Sequence, residues 1–524
     1  MTPKIKRKRE IRMNEALRLE FKGEVDTFAQ KLRAYTDGAL NKKSYKGFSG
    51  GFGSYAQRDG ARHMLRLRMT GGRLTRQRLG FLADCVEKYG ISRLKLTTCQ
   101  TIQLHDLEPQ ALVEIMAAAL DHDIVTRGGG GDYPRNVMAS PLSGVEPGEY
   151  FDVLPAAEAA GEYLLGQIKG LHLPRKLKVA FSNSPHNATH ATFRDMGFVA
   201  RPDGTFDVYC CGGLGPNPKL GVLVDSAVAQ EDILLDLSAM LKTFVQHGNY
   251  ENRAKARTRY LQDTLGADGL REVFLKNREA AQAEGCPKAV LRPVTVTKPS
   301  GGTLSDPRAL PQKQPGLYAV SYQPMGGLLA PELPRKLYDL TAGMPGAEWR
   351  VGPAETLYCV NLTADEAWQV LDATGDGART LFERSVACIG ATVCQQGVRD
   401  SQTALHAMVR AAREAGFADG VLPQVRLSGC PSSCGAHQAA ALGFQGGVKL
   451  VDGKPQPAFT LTVGGQPAGE DRRLGEVAGA ILEADLPAFI VALGRLVEAG
   501  GGTYADWYPA HTREFEALVA KYTA

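Results

Sequence analysis

The sequence predicts an α+β fold of mixed α/β layers, built as two large pseudo-equivalent halves. Short β-rich runs interleave with stretches of helical periodicity, which is the pattern of layered mixed folds. The chain also repeats itself over about half its length. Gly71-Gly72 is followed 23 residues later by Lys95, and Gly326-Gly327 is followed 23 residues later by Arg350. The segments opened there, K-L-T-T-C-Q-T-I-Q-L-H-D-L and R-V-G-P-A-E-T-L-Y-C-V-N-L, align without gaps, Thr101 with Thr356 and Leu107 with Leu362. Repetition on this scale means duplicated structural units. A stretch rich in Pro, Gly, Ser and Asp, Lys298–Pro315, separates the halves.

In chain order, helices are expected at Glu15–Tyr35, Leu74–Tyr89, Gln110–Asp121, Ala157–Ile168, Ala227–Gln246, Pro331–Ala342, Ser401–Ala415 and Leu486–Glu498. Strands are expected at Leu94–Thr98, Thr101–Leu104, Lys178–Phe181, Asp207–Cys211, Gln424–Leu427 and Phe459–Val463. Gly128–Gly131 is a break and a flexible approach to the residues after it. Two further pairs are read as equivalent between the halves. Leu173-Pro174 is matched with Leu422-Pro423, and Phe206–Val208 before Gly212-Gly213 with Phe459–Leu461 before Gly464-Gly465.

With 524 residues, 44% hydrophobic and 22% charged, the chain has the balance of a soluble globular protein with more than one core. Ten cysteines are too few for a secreted disulfide framework of this length. No apolar leader opens the sequence and no run is long enough to span a bilayer, so a reducing cytoplasm is expected. Net charge is a modest +5. Its densest part is Lys4, Lys6, Arg7, Lys8, Arg9 and Arg12. That segment reads either as a solvated tail or as a dock for an acidic partner. Nucleic-acid binding is not expected, because no aromatic-interleaved basic motif or zinc-finger spacing follows.

The chemistry concentrates in four cysteines, Cys388 and Cys394 in A-C-I-G-A-T-V-C, and Cys430 and Cys434 in S-G-C-P-S-S-C-G. Thiolates are soft donors that suit iron–sulfur clusters and zinc, and a cubane cluster takes four of them. Structural zinc pairs sit two to four residues apart, so the first spacing is long for a zinc knuckle. Buried inert thiols and a disulfide pair are the bland alternatives.

Residues Gly429 to Gly446, G-C-P-S-S-C-G-A-H-Q-A-A-A-L-G-F-Q-G, resemble the cluster loop of the sirohaem-containing sulfite and nitrite reductases. The resemblance extends over roughly residues 45 to 510. It implies a pseudo-two-fold duplicated architecture, with two ferredoxin-like half-domains and two larger cofactor domains. The boundaries expected are 1–45 for a basic extension, 46–127 for the first half-domain and 128–297 for a sirohaem and anion domain. A linker at 298–315, a second half-domain at 316–378 and a cluster domain at 379–524 follow. The cofactors implied are a sirohaem and a [4Fe-4S] cluster, held by Cys388, Cys394, Cys430 and Cys434, with Cys434 matching the thiolate that joins the two.

The same resemblance assigns roles in the first half. M-L-R-L-R-M-T-G-G matches the family's M-L-R-x-R-x-x-G-G, which makes Arg68 an anion ligand. Arg66 and Arg68, two apart on a strand, share a face. D-Y-P-R-N-V-M-A-S-P places Arg135 as a second anion-binding arginine. L-P-R-K-L-K places Lys176 and Lys178 on one side of a strand, where the two ammonium groups need anions between them. L-T-T-C-Q-T-I-Q-L-H matches at Gln100, Gln103 and His105, with Lys95 keeping the charge of a usual arginine. Cys99 departs from the family, replacing an arginine that holds the tetrapyrrole, and so removes one carboxylate contact. G-N-Y-E-N-R-A-K-A-R-T-R-Y resembles a basic cofactor-binding helix, with Asn252, Arg253, Lys255 and Arg257 as ligands. Around Arg350 the glutamines and histidine are gone, replaced by Ala354, Glu355, Tyr358 and Val360. One half therefore keeps the anion contacts and the other supplies the cluster.

The function implied is the six-electron reduction of sulfite to sulfide in sulfur assimilation, by a monomer. No G-x-G-x-x-G occurs, so electrons come from a separate donor such as ferredoxin. Nitrite reduction to ammonia is the alternative, and the loop C-P-S-S-C-G-A-H-Q looks closer to that branch. Plant-type nitrite reductases carry asparagine where Lys178 stands, whereas sulfite reductases carry lysine, and sulfite is the more highly charged anion. A cluster-only electron carrier and a zinc-stabilised binding module are the remaining classes. Neither accounts for the Arg/Lys constellation and the duplication.

Overall fold

The computed structural model describes residues 15–299 and 301–523. The basic segment from Lys4 to Arg12 lies outside them. The chain divides into two compact units. The first takes in residues up to 213 together with 219–322 and 329–375, and the second takes in 214–218, 323–328 and 376–524.

The first unit holds two small sheets that repeat one another. One runs Ser54–Ala56, His63–Leu67, Ile102–Leu107, Leu94–Leu96 in spatial order, and the other runs Ala309–Pro311, Tyr318–Tyr322, Leu357–Leu362, Glu348–Val351. Their central pairings coincide position by position. Lys95 faces Gln103 as Arg350 faces Tyr358, and Leu96 faces Ile102 as Val351 faces Leu357. The backbone agrees, because Gln100 and Glu355 both take positive φ (54° and 64°), as do Asp106 and Asn361 (60° and 64°). Each sheet is finished by the other copy's strand. Arg73–Leu74, just after Gly71-Gly72, pairs with Trp349 and Arg350, and the short strand ending at Leu329 borders Leu94–Leu96. Gly72 is required there, since a Cβ would run into the carbonyl of Val351. Helix Arg76–Tyr89 starts at an N-cap threonine, Thr75, and stops at Gly90 in the left-handed conformation.

The third sheet of this unit orders Val222–Val228, Phe206–Cys210, Met196–Ala200, Val179–Ser182 and Met138–Ala139. Its inner face stacks Phe181 on Phe198 at 4.4 Å, with Phe206 edge-on to both at 5.7 Å. Helices Leu154–Gln167, Ile233–His247 and Leu261–Ala283 supply further residues of the same core.

The second unit repeats that third sheet. Val386–Ala387, Val425–Ser428 and Leu442–Val451 run parallel, then Lys454–Val463 and Glu476–Leu482 continue antiparallel. Helix Ser401–Ala415 covers it, capped by Asp400, whose carboxylate accepts from Gln402 and Thr403 backbone N–H groups. Strands Leu442–Val451 and Lys454–Val463 turn on Asp452-Gly453, both at positive φ, the two-residue hairpin that matches strand twist. No helix among the described residues is long and apolar enough to cross a membrane.

Several expectations are corrected. The Ala227–Gln246 helix begins only at Ile233, because Val222–Val228 is a strand. Gly248–Tyr260 is not a helix but two short turns, Arg253–Lys255 and Thr258–Tyr260, ahead of a helix at Leu261–Ala283. Leu173-Pro174 and Leu422-Pro423 are not equivalent, since the sheet register sets Leu177 opposite Pro423 between the copies. The register does equate Phe206 with Phe459 and Gly212 with Gly465. The Lys298–Pro315 stretch is anchored to its own unit. Lys298 pairs with Glu366 at 2.7 Å, and Arg308 bonds the carbonyls of Leu371 and Thr374.

Candidate functional site

In the first unit the predicted arginines converge on one loop. Arg68 is 5% exposed. Its guanidinium donates to the carbonyls of Arg127 at 2.6 Å and Arg135 at 3.0 Å. Arg135 donates to the carbonyls of Gly129 and Gly131, both at 2.9 Å, and Arg66 also reaches Gly129. Gly128–Gly131 is therefore a packed collar around the arginines rather than a flexible approach. A Cβ on Gly128 would stand 2.6 Å from an Arg68 nitrogen, and one on Gly129 2.8 Å from the Thr126 carbonyl. Burial, with Arg135 and Arg127 close by, lowers the Arg68 pKa to about 9, so it stays charged near neutrality.

These guanidinium groups bond carbonyls, which leaves their charge uncompensated. Buried Arg135 Nε has no acceptor, whereas Arg257 is paired with Asp195. A buried cation without a counter-charge is costly, and an anion placed among them removes that cost. A carboxylate-bearing tetrapyrrole and a small oxyanion both fit such a donor set.

Lys176 and Lys178 are half-buried at the start of strand Val179–Ser182. The Lys178 backbone N–H donates to Asp195 at 2.8 Å. Asp195 is wholly buried and also accepts from Arg257 at 2.9 and 3.0 Å and from the Thr258 hydroxyl. Burial raises the Asp195 carboxyl, but Arg257, Thr258 and Lys178 outweigh it and hold it below the usual range. Cys99 packs against Met138, Ala180 and Ala191. Burial raises its thiol, yet Lys178, Arg194, Arg66 and Arg135 together bring it down to about 6, so it is largely thiolate at neutral pH.

The glutamine and histidine positions divide. Gln100 donates to the carbonyls of Ala139 at 2.9 Å and Val351 at 2.8 Å, and accepts from Ala139 N–H. Gln103 turns its oxygen to Arg66 at 2.6 Å and its nitrogen to His105 Nε2 at 3.2 Å. Nδ1–H of His105 then donates to Gln57. Burial, with Arg93, Arg66 and Lys95, lowers His105 to about 3, so it is neutral. The Lys95 ammonium forms a buried ion pair with Glu355 and donates to the Leu96 carbonyl. Arg253 is exposed and shares Asp132 with Arg175. Asn252 and Lys255 are exposed, and Asn252 caps Ala254.

All four cysteines of the candidate cluster cage lie in the second unit, and none of the ten cysteines forms a disulfide. Cys388 Sγ accepts from Gly429 N–H at 3.1 Å and Cys394 Sγ from Gln396 N–H at 3.4 Å. Backbone N–H donors of this kind suit cluster thiolates. Among the described residues no three His, Cys, Asp or Glu converge as ligands of one ion. Cys434 is exposed and Cys430 buried. The turn between them has Ser433 at φ 52° and Ala436 just beyond at φ 62°.

The first unit contains the same cage without its thiols. Asn187 and His190 repeat those positive φ values at 49° and 56°. Ser140 N–H donates to Phe181 O as Cys388 N–H donates to Leu427 O, each at 3.1 Å. Asn183 N–H donates to the Ser140 hydroxyl as Gly429 N–H donates to Cys388 Sγ. Cys388, Cys394, Cys430 and Cys434 thus correspond to Ser140, Glu146, Ser184 and Ala188. Cys210 and Cys211 are wholly buried with thiols raised by that burial.

Sequence reasoning missed Asp195, Arg194 and Gln438. Aspartate and glutamine carry no spacing signal, and Asp195 acquires meaning only from its contact with Arg257.

Comparison with known proteins gives a consistent grouping. Residues 130–282 match the nitrite and sulphite reductase 4Fe-4S domain, and 55–122 the nitrite/sulfite reductase ferredoxin-like half domain. The first of these matches covers the copy without the four cysteines. A ferredoxin–nitrite reductase of Synechococcus elongatus is 28% identical over 437 residues, 80% of this chain and 82% of that protein. A sulfite reductase [ferredoxin] of Mycobacterium tuberculosis is 26% identical over 431 residues, 78% of this chain and 75% of that protein. The solved structure of the M. tuberculosis NirA protein shares the fold, with a TM-score of 0.79 at 23% identity, covering 97% of this chain and 98% of that one.

Proposed function

Because the chain belongs to the nitrite and sulfite reductase family, we propose that it reduces sulfite to sulfide with electrons from an external ferredoxin-type donor. Its cofactors are a sirohaem and a [4Fe-4S] cluster. When bound, they supply an open iron site for the anion and electrons delivered singly, and Cys388, Cys394, Cys430 and Cys434 are the residues that would hold the cluster.

The protein's own part is electrostatic. Arg68, Arg135, Lys176 and Lys178 would bind the oxyanion, neutralise it and orient it. Donors fixed before the reaction begins cost nothing to reorganise during it. The Gly128–Gly131 collar limits water around the arginines, and the lysines supply protons as each oxygen leaves as water. Neutral His105 adds no charge beside Gln103 and Arg66.

The observation that carries sulfite is the second ammonium, Lys178, beside the buried arginines. Near neutrality a substantial fraction of sulfite is the dianion whereas nitrite is a monoanion, so an added cation favours sulfite. Nitrite is the second reading, and Cys99 favours it, because its thiolate offsets one positive charge next to Lys178. Lys178→Asn decides between them. We expect the ratio of sulfite to nitrite kcat/KM to fall roughly tenfold, about 1.4 kcal/mol. A wild type that already prefers nitrite, or an unchanged ratio, sinks the sulfite assignment.

The donor is tested separately. Deleting residues 1–12 removes six basic side chains. Turnover with a small artificial reductant should persist, while ferredoxin-driven turnover becomes slower and less salt-sensitive. Ferredoxin kinetics identical to wild type would make the segment a solvated tail. A cytoplasmic monomer is the setting this reading takes.

A further inference from the structure

The loop motif C-P-S-S-C-G-A-H-Q ends on a residue to which the reaction gives no task. Gln438 is 7% exposed, and its amide is spent on a single residue. Gly215 N–H donates to Gln438 Oε1 at 2.8 Å, and Gln438 Nε2 donates back to the Gly215 carbonyl at 3.0 Å. The side chain thereby imitates one rung of a strand ladder. Gly215 belongs to Leu214–Pro218, L-G-P-N-P, a short excursion counted with the second unit although its flanks belong to the first. The excursion is closed at its base, where Gly213 and Lys219 exchange both backbone hydrogen bonds at 2.9 Å.

Pro216 and Pro218 restrict the tip, and Asn217 sits at φ 54°. Gly215 itself is at φ 103°, and a Cβ there would lie 3.4 Å from the Pro431 carbonyl and 3.7 Å from that of Ser432. The strap's backbone therefore rests on the turn between Cys430 and Cys434. The first-unit copy shows what is special here. Its equivalent residue is Thr192, whose carbonyl accepts Gly221 N–H at 2.7 Å as the Gln438 carbonyl accepts Gly475 N–H at 2.8 Å. The backbone role is shared, and the amide clamp is present only beside the cysteines.

The geometry points to Gln438 as a positioning residue for the cluster loop, clamping the Leu214–Pro218 strap over the Pro431–Ser432 turn and so limiting solvent access to Cys430, which is buried. The inference rests on the reading of these cysteines as cluster ligands. Solvent exposure and hydrogen bonding to sulfur set cluster potentials, so the clamp holds the potential down by keeping water away from the more highly charged reduced state.

The test uses the intact as-isolated enzyme and two variants. Gln438→Met keeps the shape and removes both bonds. Gln438→Thr installs the residue that the first-unit copy carries on the same backbone, which protects against a folding failure. Hydrogen–deuterium exchange at the Gly215 amide should quicken at least about tenfold in either folded variant, and the cluster midpoint potential should rise. Wild-type exchange at Gly215, or an unmoved potential, in either folded variant overturns the proposal. Cys430→Ser reports on the ligand reading independently. Unchanged iron and acid-labile sulfide content there refutes that reading and leaves the Gly215 measurement to be judged by itself.

Discussion

Cys434→Ser should all but eliminate multi-electron turnover and alter the sirohaem spectrum, whereas Cys388→Ser should impair the cluster and leave the sirohaem bands in place. Both lose a thiolate, and serine oxygen is a poor substitute for a soft donor. The difference lies in position. Cys388 is half-buried, its sulfur bonded to Gly429 N–H and 3.1 Å from the Ser401 hydroxyl. Cys434 is exposed on the left-handed turn that ends the cysteine run, and the family resemblance assigns it to both cofactors. We expect Cys434→Ser to lose at least about a thousandfold in turnover, ~4 kcal/mol of activation free energy. Iron content, absorption spectra and turnover with an artificial reductant check this. Identical spectra for the two variants refute the bridging role.

Glu355→Ala should be strongly destabilising. Lys95 and Glu355 are each about 2% exposed and form an ion pair. Removing the carboxylate leaves an ammonium group buried without its charge partner. Breaking such a pair costs about 3–5 kcal/mol. The double variant Lys95→Met with Glu355→Gln should recover most of that loss. Glutamine is what the first copy carries at the equivalent position, Gln100, with the same positive φ. Urea denaturation followed by far-UV circular dichroism gives the midpoints. A single variant as stable as wild type, or a double variant no better than the single, refutes this account. The double variant also tests Lys95 as a cofactor ligand, because sirohaem content should fall in a stable protein only if Lys95 contacts the cofactor.

Lys95 illustrates what a sequence reading can and cannot resolve. Its alignment with Arg350 is legible from residue spacing, and the two sheets confirm that register. Its burial against Glu355 is not legible, because the partner lies in the other copy at a position where decay of the anion site was the visible signal. Arg68 and Arg135 were legible as motif positions, but the collar of carbonyls around them depends on tertiary packing. Helix Ser401–Ala415 was found because Asp400 and Gly416 punctuate a clean apolar period. Helix Leu261–Ala283 was missed because Gly266, at φ 69°, interrupts that period. The basic run before it imitates a helix by spacing alone. Strand Leu442–Val451 was hidden because its last half is exposed, with Val448 and Leu450 in water, so no buried face enforces alternation.

The strands that follow each double glycine reveal something about origin. Arg73–Leu74 completes the sheet of the second copy, and the strand ending at Leu329 borders the sheet of the first. Each half-domain has lent its edge to its twin. Such reciprocal lending is the signature of domain swapping across an isologous contact. A lone copy would present an unfinished edge, open to association with any other strand. In this chain the exchange takes place within one polypeptide, so each copy's edge is already covered by its twin.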